Sequence, residues 1–342
     1  QHCIAAMAMT KVAIPGGAGF LGQRLARDLT EADYTPIIGD IQAPDNKDLR
    51  YLEADVTRAP TLPGLIDDAD IIVNLAAEHR DDVRPVERYD QVNVEGARNV
   101  CAAADKAGIN HIIFTSSVAV YGLESDQPDE ETPHHPFNDY GRTKSKAEAV
   151  YRQWYAAEPD RRTLTIIRPT VIFGPGNRGN VYNLIRQIAT GKFLMIGNGQ
   201  NRKSMAYVGN ISAFIRFCLD FGPGMHVYNY ADKPDLTMND LVATIYGEFK
   251  PTAQTPRLRL PYSAGMAAGF TLDLLAGLTG RTFPVSRVRI QKFCADTSFA
   301  TDRLEASGFT RPYSLHEGLS DMISHDFNPP RQTSPAGREA TG

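Results

Sequence analysis

A chain of 342 residues with 42% hydrophobic and 22% charged residues is long enough for one large α/β domain, or a main domain with a smaller partner. Its formal net charge of −4 gives no general pull toward nucleic acid or an anionic surface, and its longest apolar stretch, Ala264–Leu278, falls short of the about 20 residues that span a bilayer. Four scattered cysteines (Cys3, Cys101, Cys218, Cys294) make no CxxC or metal-type spacing, which fits a reduced, cytoplasmic setting and no metal site.

Residues 1–9 lack the basic start and long apolar core of a signal peptide, and read as an extension before a start near Met7 or Met9. The first element is a short apolar strand ending in Val12–Ile14. It runs into Pro15-Gly16-Gly17-Ala18-Gly19-Phe20-Leu21-Gly22 and then a helical stretch, Phe20–Thr30. Strand, glycine turn and helix N-terminus in that order form a phosphate-binding device. Gly16 permits the tight turn, Gly19 lets backbone amides approach a pyrophosphate, and Gly22 lets the helix pack close to the strand. The helix N-terminus adds unpaired N–H groups and a positive dipole end.

Strand-like runs then alternate with helical ones. Strands are expected at Lys11–Ile14, Thr35–Gly39, Ile71–Leu75, His111–Phe114 and Thr165–Arg168, and helices at Phe20–Thr30, Val92–Ala107 and Tyr140–Ala157. This alternation predicts an α/β fold with a doubly wound parallel sheet of Rossmann type over residues 10–175. Asp40 closes the second strand, where a carboxylate accepts hydrogen bonds from an adenosine ribose diol and repels a 2′-phosphate; NAD is favoured over NADP. Asp55 and Val56 follow another strand-like run, Arg50-Tyr51-Leu52, and are placed to meet the adenine amino group.

Tyr140 and Lys144 lie four apart on a helical segment and share a face. A phenol is a poor base at its ordinary pKa of about 10. A nearby ammonium stabilises the phenolate, and also reaches nicotinamide ribose hydroxyls. Ser117 ends the strand His111–Phe114 at the carboxyl edge, where α/β ligand sites form, and can hold a substrate oxygen that Tyr140 protonates or deprotonates. After residue 175 the pattern breaks at Gly174-Pro175-Gly176-Asn177-Arg178-Gly179-Asn180 and becomes less regular. Residues 176–327 read as a mainly substrate-binding region, smaller and also α/β, with room to return strands to the sheet. Residues 328–342, polar and proline-rich, read as a flexible tail.

The motifs Gly16-Gly17-Ala18-Gly19-Phe20-Leu21-Gly22, Asn74-Leu75-Ala76-Ala77, Asn93 with Gly96, Ser116-Ser117-Val118-Ala119-Val120-Tyr121-Gly122, Tyr140-Gly141-Arg142-Thr143-Lys144 and Arg168-Pro169 resemble the extended short-chain dehydrogenase/reductases, in particular the NAD-dependent epimerase/dehydratase group acting on nucleotide sugars. The resemblance spans about residues 10–325. It implies Ser117, Tyr140 and Lys144 as the catalytic trio. It also implies Phe20, Leu21, Leu75, Ala76, Ala77, Asn93 and Pro169 along the cofactor, with Asn93 supporting the active-site helix. Pro15 departs from the small hydroxyl residue usual there.

Dehydratases of the group follow the hydroxyl residue with an acidic pair. Val118 and Ala119 stand here and transfer no proton, which disfavours dehydration. Two reactions remain, C4 epimerisation of a nucleotide-diphosphate sugar and reduction of a 4-keto sugar. A 3β-hydroxysteroid-type oxidoreductase and a non-catalytic NAD(P)-sensing regulator are the alternatives. Arg178, Asn180, Arg202 and Lys203 are the expected substrate contacts, with Arg281, Arg287, Arg289 and Lys292 as a second basic cluster; Asn210 replaces the acid that usually ends the Arg202–Val208 stretch. The resemblance further implies a homodimer paired through the helices Val92–Ala107 and Tyr140–Ala157, and a role in polysaccharide biosynthesis.

Overall fold

The computed structural model describes residues 9–80, 83–123, 126–249, 259–279 and 287–327. Six strands, β1 (Lys11–Pro15), β2 (Thr35–Asp40), β3 (Tyr51–Glu53), β4 (Ile71–Asn74), β5 (His111–Thr115) and β6 (Thr163–Pro169), join a late strand, Gly224–Tyr230, in one sheet. Across the sheet the order is β3-β2-β1-β4-β5-β6 and then Gly224–Tyr230, and these pairings are parallel. This is a doubly wound sheet of Rossmann type. The winding reverses between β1 and β4, and such folds bind ligands at the carboxyl ends of the two strands flanking that reversal.

Both faces of the sheet are covered, which is why Val12, Ala13, Ile14, Ile72 and Val73 are fully buried. On one face, α1 (Phe20–Thr30) and the helix Val208–Cys218 bury Leu25, Leu29, Ile211, Phe214 and Ile215. The other face is covered by α2 (Pro63–Ile66), α4 (Gly96–Ala107) and α5 (Asp139–Ala157), through Leu65, Ile66, Val100, Ala104, Tyr151 and Trp154. The helix expected from Val92 begins earlier: α3 (Glu87–Tyr89) leads into a wide π turn, Asp90–Glu95, and then into α4. The extra residue of a π turn breaks the 3.6-residue period, so the apolar spacing did not reveal it.

The chain forms two compact units. The first takes residues up to Ile172 with 203–235 and 296–315, and holds the large sheet. The second takes Phe173–Arg202, Leu236–Ala295 and the stretch from His316. Within it Met195–Ile196 pairs in parallel with Arg259–Leu260, and a cavity of about 610 Å³ is lined by Ile196, Asn198, Asn201, Tyr262, Gln291 and Cys294 among others. The expected extension, save its last residue, and the expected tail at 328–342 lie outside the described residues.

His111, at the start of β5, is mostly buried. Burial first and the neighbouring His226 second pull its pKa down to about 4. The folded chain therefore holds the ring neutral between pH 6.5 and 4 while the unfolded chain takes up a proton, so stability falls as pH drops through that window. At pH 5 the deficit relative to neutral pH is about 1–2 kcal/mol. In urea melts, His111→Phe is expected to lose less stability than the parent between pH 7 and 5; equal losses would remove His111 as the cause.

Candidate active site

The glycine turn sits at the carboxyl end of β1. Gly16 has φ +77°, and a Cβ there would lie 2.4 Å from the Ala76 backbone nitrogen. The Gly16 and Gly17 amides both donate to the Gly39 carbonyl, at 2.7 and 3.3 Å. A Cβ on Gly22 would lie 2.5 Å from the Gly17 Cα, so α1 leaves the turn in direct backbone contact with it. Gly19 is the N-cap of α1; no side chain caps the helix and no acid occupies its first turn, which carries Phe20 and Leu21. Helix amides without a side-chain acceptor at the end of a strand fit the pyrophosphate of a dinucleotide.

Asp40 ends β2, and its Oδ2 accepts from the Ala18 amide at 3.1 Å. The carboxylate is thereby fixed beside the glycine turn, as a ribose acceptor requires. Leu75, Ala76 and Ala77 follow β4 and are partly exposed; the Leu75 amide donates to the Pro15 carbonyl at 2.9 Å. Asp55 turns its carboxylate on its own loop, where Oδ1 accepts from the Thr57 amide and hydroxyl at 2.9 and 2.7 Å. Val56 is only 7% exposed and faces α4, where a Cβ on Gly96 would meet its Cγ2 at 2.9 Å. Pro169 closes β6 and is buried. Gly16, Gly19, Gly22, Asp40 and Ala76 are thus brought together, whereas the Val56 side chain belongs to the core.

Ser117 follows β5 and N-caps the short turn Val118–Tyr121, its hydroxyl accepting from the Ala119 amide at 3.1 Å. Asn138 caps α5 by accepting from the Gly141 amide at 2.9 Å, which starts the helix just before Tyr140. A Cβ on Gly141 would lie 2.3 Å from the Ala119 carbonyl oxygen, so this glycine lets α5 press on the Ser117 turn. The Tyr140 phenol thereby comes within the influence of the Ser117 side chain. Burial pushes that phenol up to about 12, and the Ser117 side chain pulls against it.

The ammonium of Lys144 is directed elsewhere than the phenol. It donates to the Thr115 carbonyl at 2.7 Å and lies 4.6 Å from the centre of the Phe114 ring. Lys144 is 2% exposed; burial drags its pKa down to about 7, with Glu148 opposing. Asn93, in the π turn, is buried and spends its amide within the protein. It exchanges hydrogen bonds with the Glu78 backbone at 2.9 and 3.0 Å and donates to the Thr143 hydroxyl on α5 at 2.9 Å. It therefore ties the loop after β4 to the helix carrying Tyr140.

Arg178 and Asn180 are exposed in the second unit, where Asn180 begins the helix Asn180–Ala189 and Arg178 lies against the Tyr182 ring at 4.4 Å. Arg202 and Lys203 open the strand Arg202–Tyr207, and Lys203 makes a parallel bridge to Thr297. Arg281 lies outside the described residues, as do the side chains of Arg287, Arg289 and Lys292. The sequence reading assigned no role to Glu148, and quoted Arg168 and Tyr121 only as parts of motifs. A charged residue inside the otherwise apolar run of β6, and an acid four residues beyond Lys144 on the same helix face, were the available signals.

The profile of the NAD dependent epimerase/dehydratase family matches residues 12–231. The N-acetyl-α-D-glucosaminyl-diphospho-ditrans,octacis-undecaprenol 4-epimerase of Escherichia coli O157:H7 is 48% identical over 322 residues, covering 92% of this chain and 95% of that one. The UDP-glucose 4-epimerase of Vibrio cholerae is 30% identical over 259 residues, 72% of this chain and 78% of that one. Among solved structures, the UDP-N-acetylglucosamine 4-epimerase of Bacillus cereus superposes with a TM-score of 0.72 at 18% identity, covering 92% and 98% of the two chains, which shows a shared fold.

Alanine at residue 16 would have to adopt a left-handed backbone and displace Ala76. Gly16→Ala is expected to cost about 1–2 kcal/mol from the backbone alone, and to abolish the rise in melting temperature that NAD gives the parent. Asp40→Ser is expected to keep the fold and narrow the preference for NAD over NADP. Thermal melts with each dinucleotide test both, and an Asp40→Ser protein that discriminates as the parent does would refute the ribose assignment.

Proposed function

The chain belongs to the NAD-dependent epimerase/dehydratase family, and we propose that it inverts C4 of an N-acetylglucosamine unit carried on a polyprenyl diphosphate. The observation that carries this reading is the likeness to the Escherichia coli undecaprenol-linked enzyme across nearly the whole of both chains. The sequence alone pointed to a nucleotide as the carrier; the Vibrio cholerae relative, at lower identity and coverage, favours that second reading. The helix Tyr262–Thr279 supports the lipid carrier: Asp273 is its one charged residue, and Tyr262 and Phe270 stand exposed on it. Among the described residues no helix is long and apolar enough to cross a membrane. The same reading places the reaction on the cytoplasmic side of the membrane, in polysaccharide assembly, with a homodimer paired through α4 and α5.

The roles we assign rest on the family resemblance, and the geometry supports them. Tyr140 takes the C4 hydroxyl proton as the sugar is oxidised and returns it to the oxygen after the ring has turned its other face. Ser117, beside the same phenol, holds that oxygen in place. Lys144 supplies positive charge beneath the site from its seat on Thr115 and Phe114, and favours the phenolate. Gly16, Gly19, Gly22 and Asp40 hold NAD, which when bound accepts the C4 hydride and gives it back. Val118 and Ala119 leave the C5 proton in place, so the sugar keeps its C6 hydroxyl. Arg178, Asn180, Arg202 and Lys203 are the proposed contacts to the diphosphate and sugar.

The purified protein, given a short-chain prenyl diphosphate bearing N-acetylglucosamine, is expected to yield a mixture with the galacto epimer and no net change in NADH. Tyr140→Phe is expected to lower the rate by about 10²–10⁴-fold. Turnover of UDP-N-acetylglucosamine but not of the prenyl-linked sugar would replace the lipid carrier by a nucleotide. Stoichiometric NADH consumption on a 4-keto sugar would make the protein a reductase.

A further inference from the structure

Tyr140, Lys144 and Glu148 follow one another at four-residue spacing on α5, so they line one face of that helix. Glu148 is 1% exposed and receives a bidentate pair of hydrogen bonds from Arg168 on β6, Nε to Oε1 at 2.9 Å and Nη2 to Oε2 at 2.7 Å. Arg168 is itself 1% exposed. Its Nη1 donates to the Tyr121 hydroxyl at 2.6 Å and to the Glu130 carbonyl at 3.2 Å. Tyr121 closes the turn that Ser117 opens, and its hydroxyl donates to Asn229 Oδ1 at 2.6 Å in the strand Gly224–Tyr230. One guanidinium therefore joins the helix that carries Tyr140 and Lys144 to the turn that carries Ser117.

A buried ion pair of this kind adds little stability over a well-packed apolar pair, because the desolvation of both charges offsets their attraction. Its directional geometry is what an apolar pair cannot supply. We propose that Arg168 and Glu148 act as a positioning clamp for the reaction, fixing α5 against the Ser117 turn and keeping a negative charge on the Lys144 face of the helix. The proposal rests on the assignment of Ser117, Tyr140 and Lys144 as the reacting groups.

The charged groups around the clamp fix the sign of its effect on pH. Glu148 meets Arg168, the Arg152 guanidinium at 3.6 Å and the His134 ring at 3.8 Å. Lys144 meets the Phe114 ring, the Thr115 carbonyl and, electrostatically, Glu148. Since the carboxylate holds the lysine pKa up against burial, its removal lets the ammonium discharge at lower pH.

Removing one partner strands the other charge in the interior, so Arg168→Met and Glu148→Leu are each compared with the double variant, which leaves no orphan. The double variant is expected to recover most of the melting temperature that the single variants lose. Its kcat on the prenyl-linked sugar should remain down by roughly 10- to 100-fold, with KM within about threefold of the parent, as for a misplaced reacting group. The alkaline limb of its kcat profile should also move to lower pH, and Arg168→Lys should restore little. A folded double variant with parental kcat and pH profile would overturn the clamp. So would a rate loss carried wholly by KM with the pH profile unmoved. Tyr140→Phe, run alongside, separates the two ideas: if it retains activity, the trio assignment fails whatever the clamp variants do.

Discussion

The absence of one methyl group at residue 141 sets the spacing of the site. With a Cβ 2.3 Å from the Ala119 carbonyl oxygen, α5 would have to lift off the turn that follows β5, and Tyr140 would leave Ser117. Backbone cannot yield to such an overlap as a long side chain can, and a close-packed interior has no slack to absorb it. The same device recurs across the sheet at Gly16, which allows the turn after β1 to press on Ala76 after β4. Two approaches of backbone to backbone thus place a dinucleotide cradle after β1 and a phenol–serine pair after β5, two parallel strands separated by β4, at the carboxyl edge of the sheet.

Around that frame the electrostatics are those of a dry interior. Lys144 is buried with a carbonyl and an aromatic face as its partners, a seat that weakens its hold on the proton. Tyr140 is pushed the opposite way by the same burial. Burial thus drives the two groups apart from ordinary values near 10, and the interior favours the uncharged form of each. The charges that would otherwise make such a site unaffordable are paired within hydrogen-bond distance, and Arg168 with Glu148 is the most enclosed of these pairs.

Much of this was legible in the sequence because it is written locally. The glycine turn, Asp40 at the end of β2, and Tyr140 four residues before Lys144 each show their chemistry within a single turn or strand end. The alternation of strand and helix carried the parallel sheet in the same way. What stayed hidden depends on distant pairings. Arg168 and Glu148 are 20 positions apart and meet because β6 lies beneath α5, while the partner of Tyr121 is Asn229, 108 positions on. The π turn that presents Asn93 to both Glu78 and Thr143 departs from the regular helical period, so a periodic reading passes over it. Lys144 was expected beside the phenol because spacing alone says which side chains share a face; it does not say that a carbonyl at the end of β5 competes for the ammonium.

The division between chemistry and carrier follows from where these groups lie. The cradle, the serine, the phenol, the lysine and the clamp all belong to the first unit, and none of them bears on what is attached to the sugar through its diphosphate. Oxidation and return at C4 place demands only on the atoms around C4, so a change of carrier from nucleotide to polyprenol need not alter a single one of these residues. The proposed function assigns the difference mainly to the second unit, where Arg178, Asn180 and the apolar helix Tyr262–Thr279 lie. A nucleotide calls for base-stacking and ribose-binding groups there, whereas an isoprenoid calls for surface that tolerates hydrocarbon. Phe270, 60% exposed on a helix with one charge, is a poor neighbour for water and a reasonable one for an isoprenoid chain.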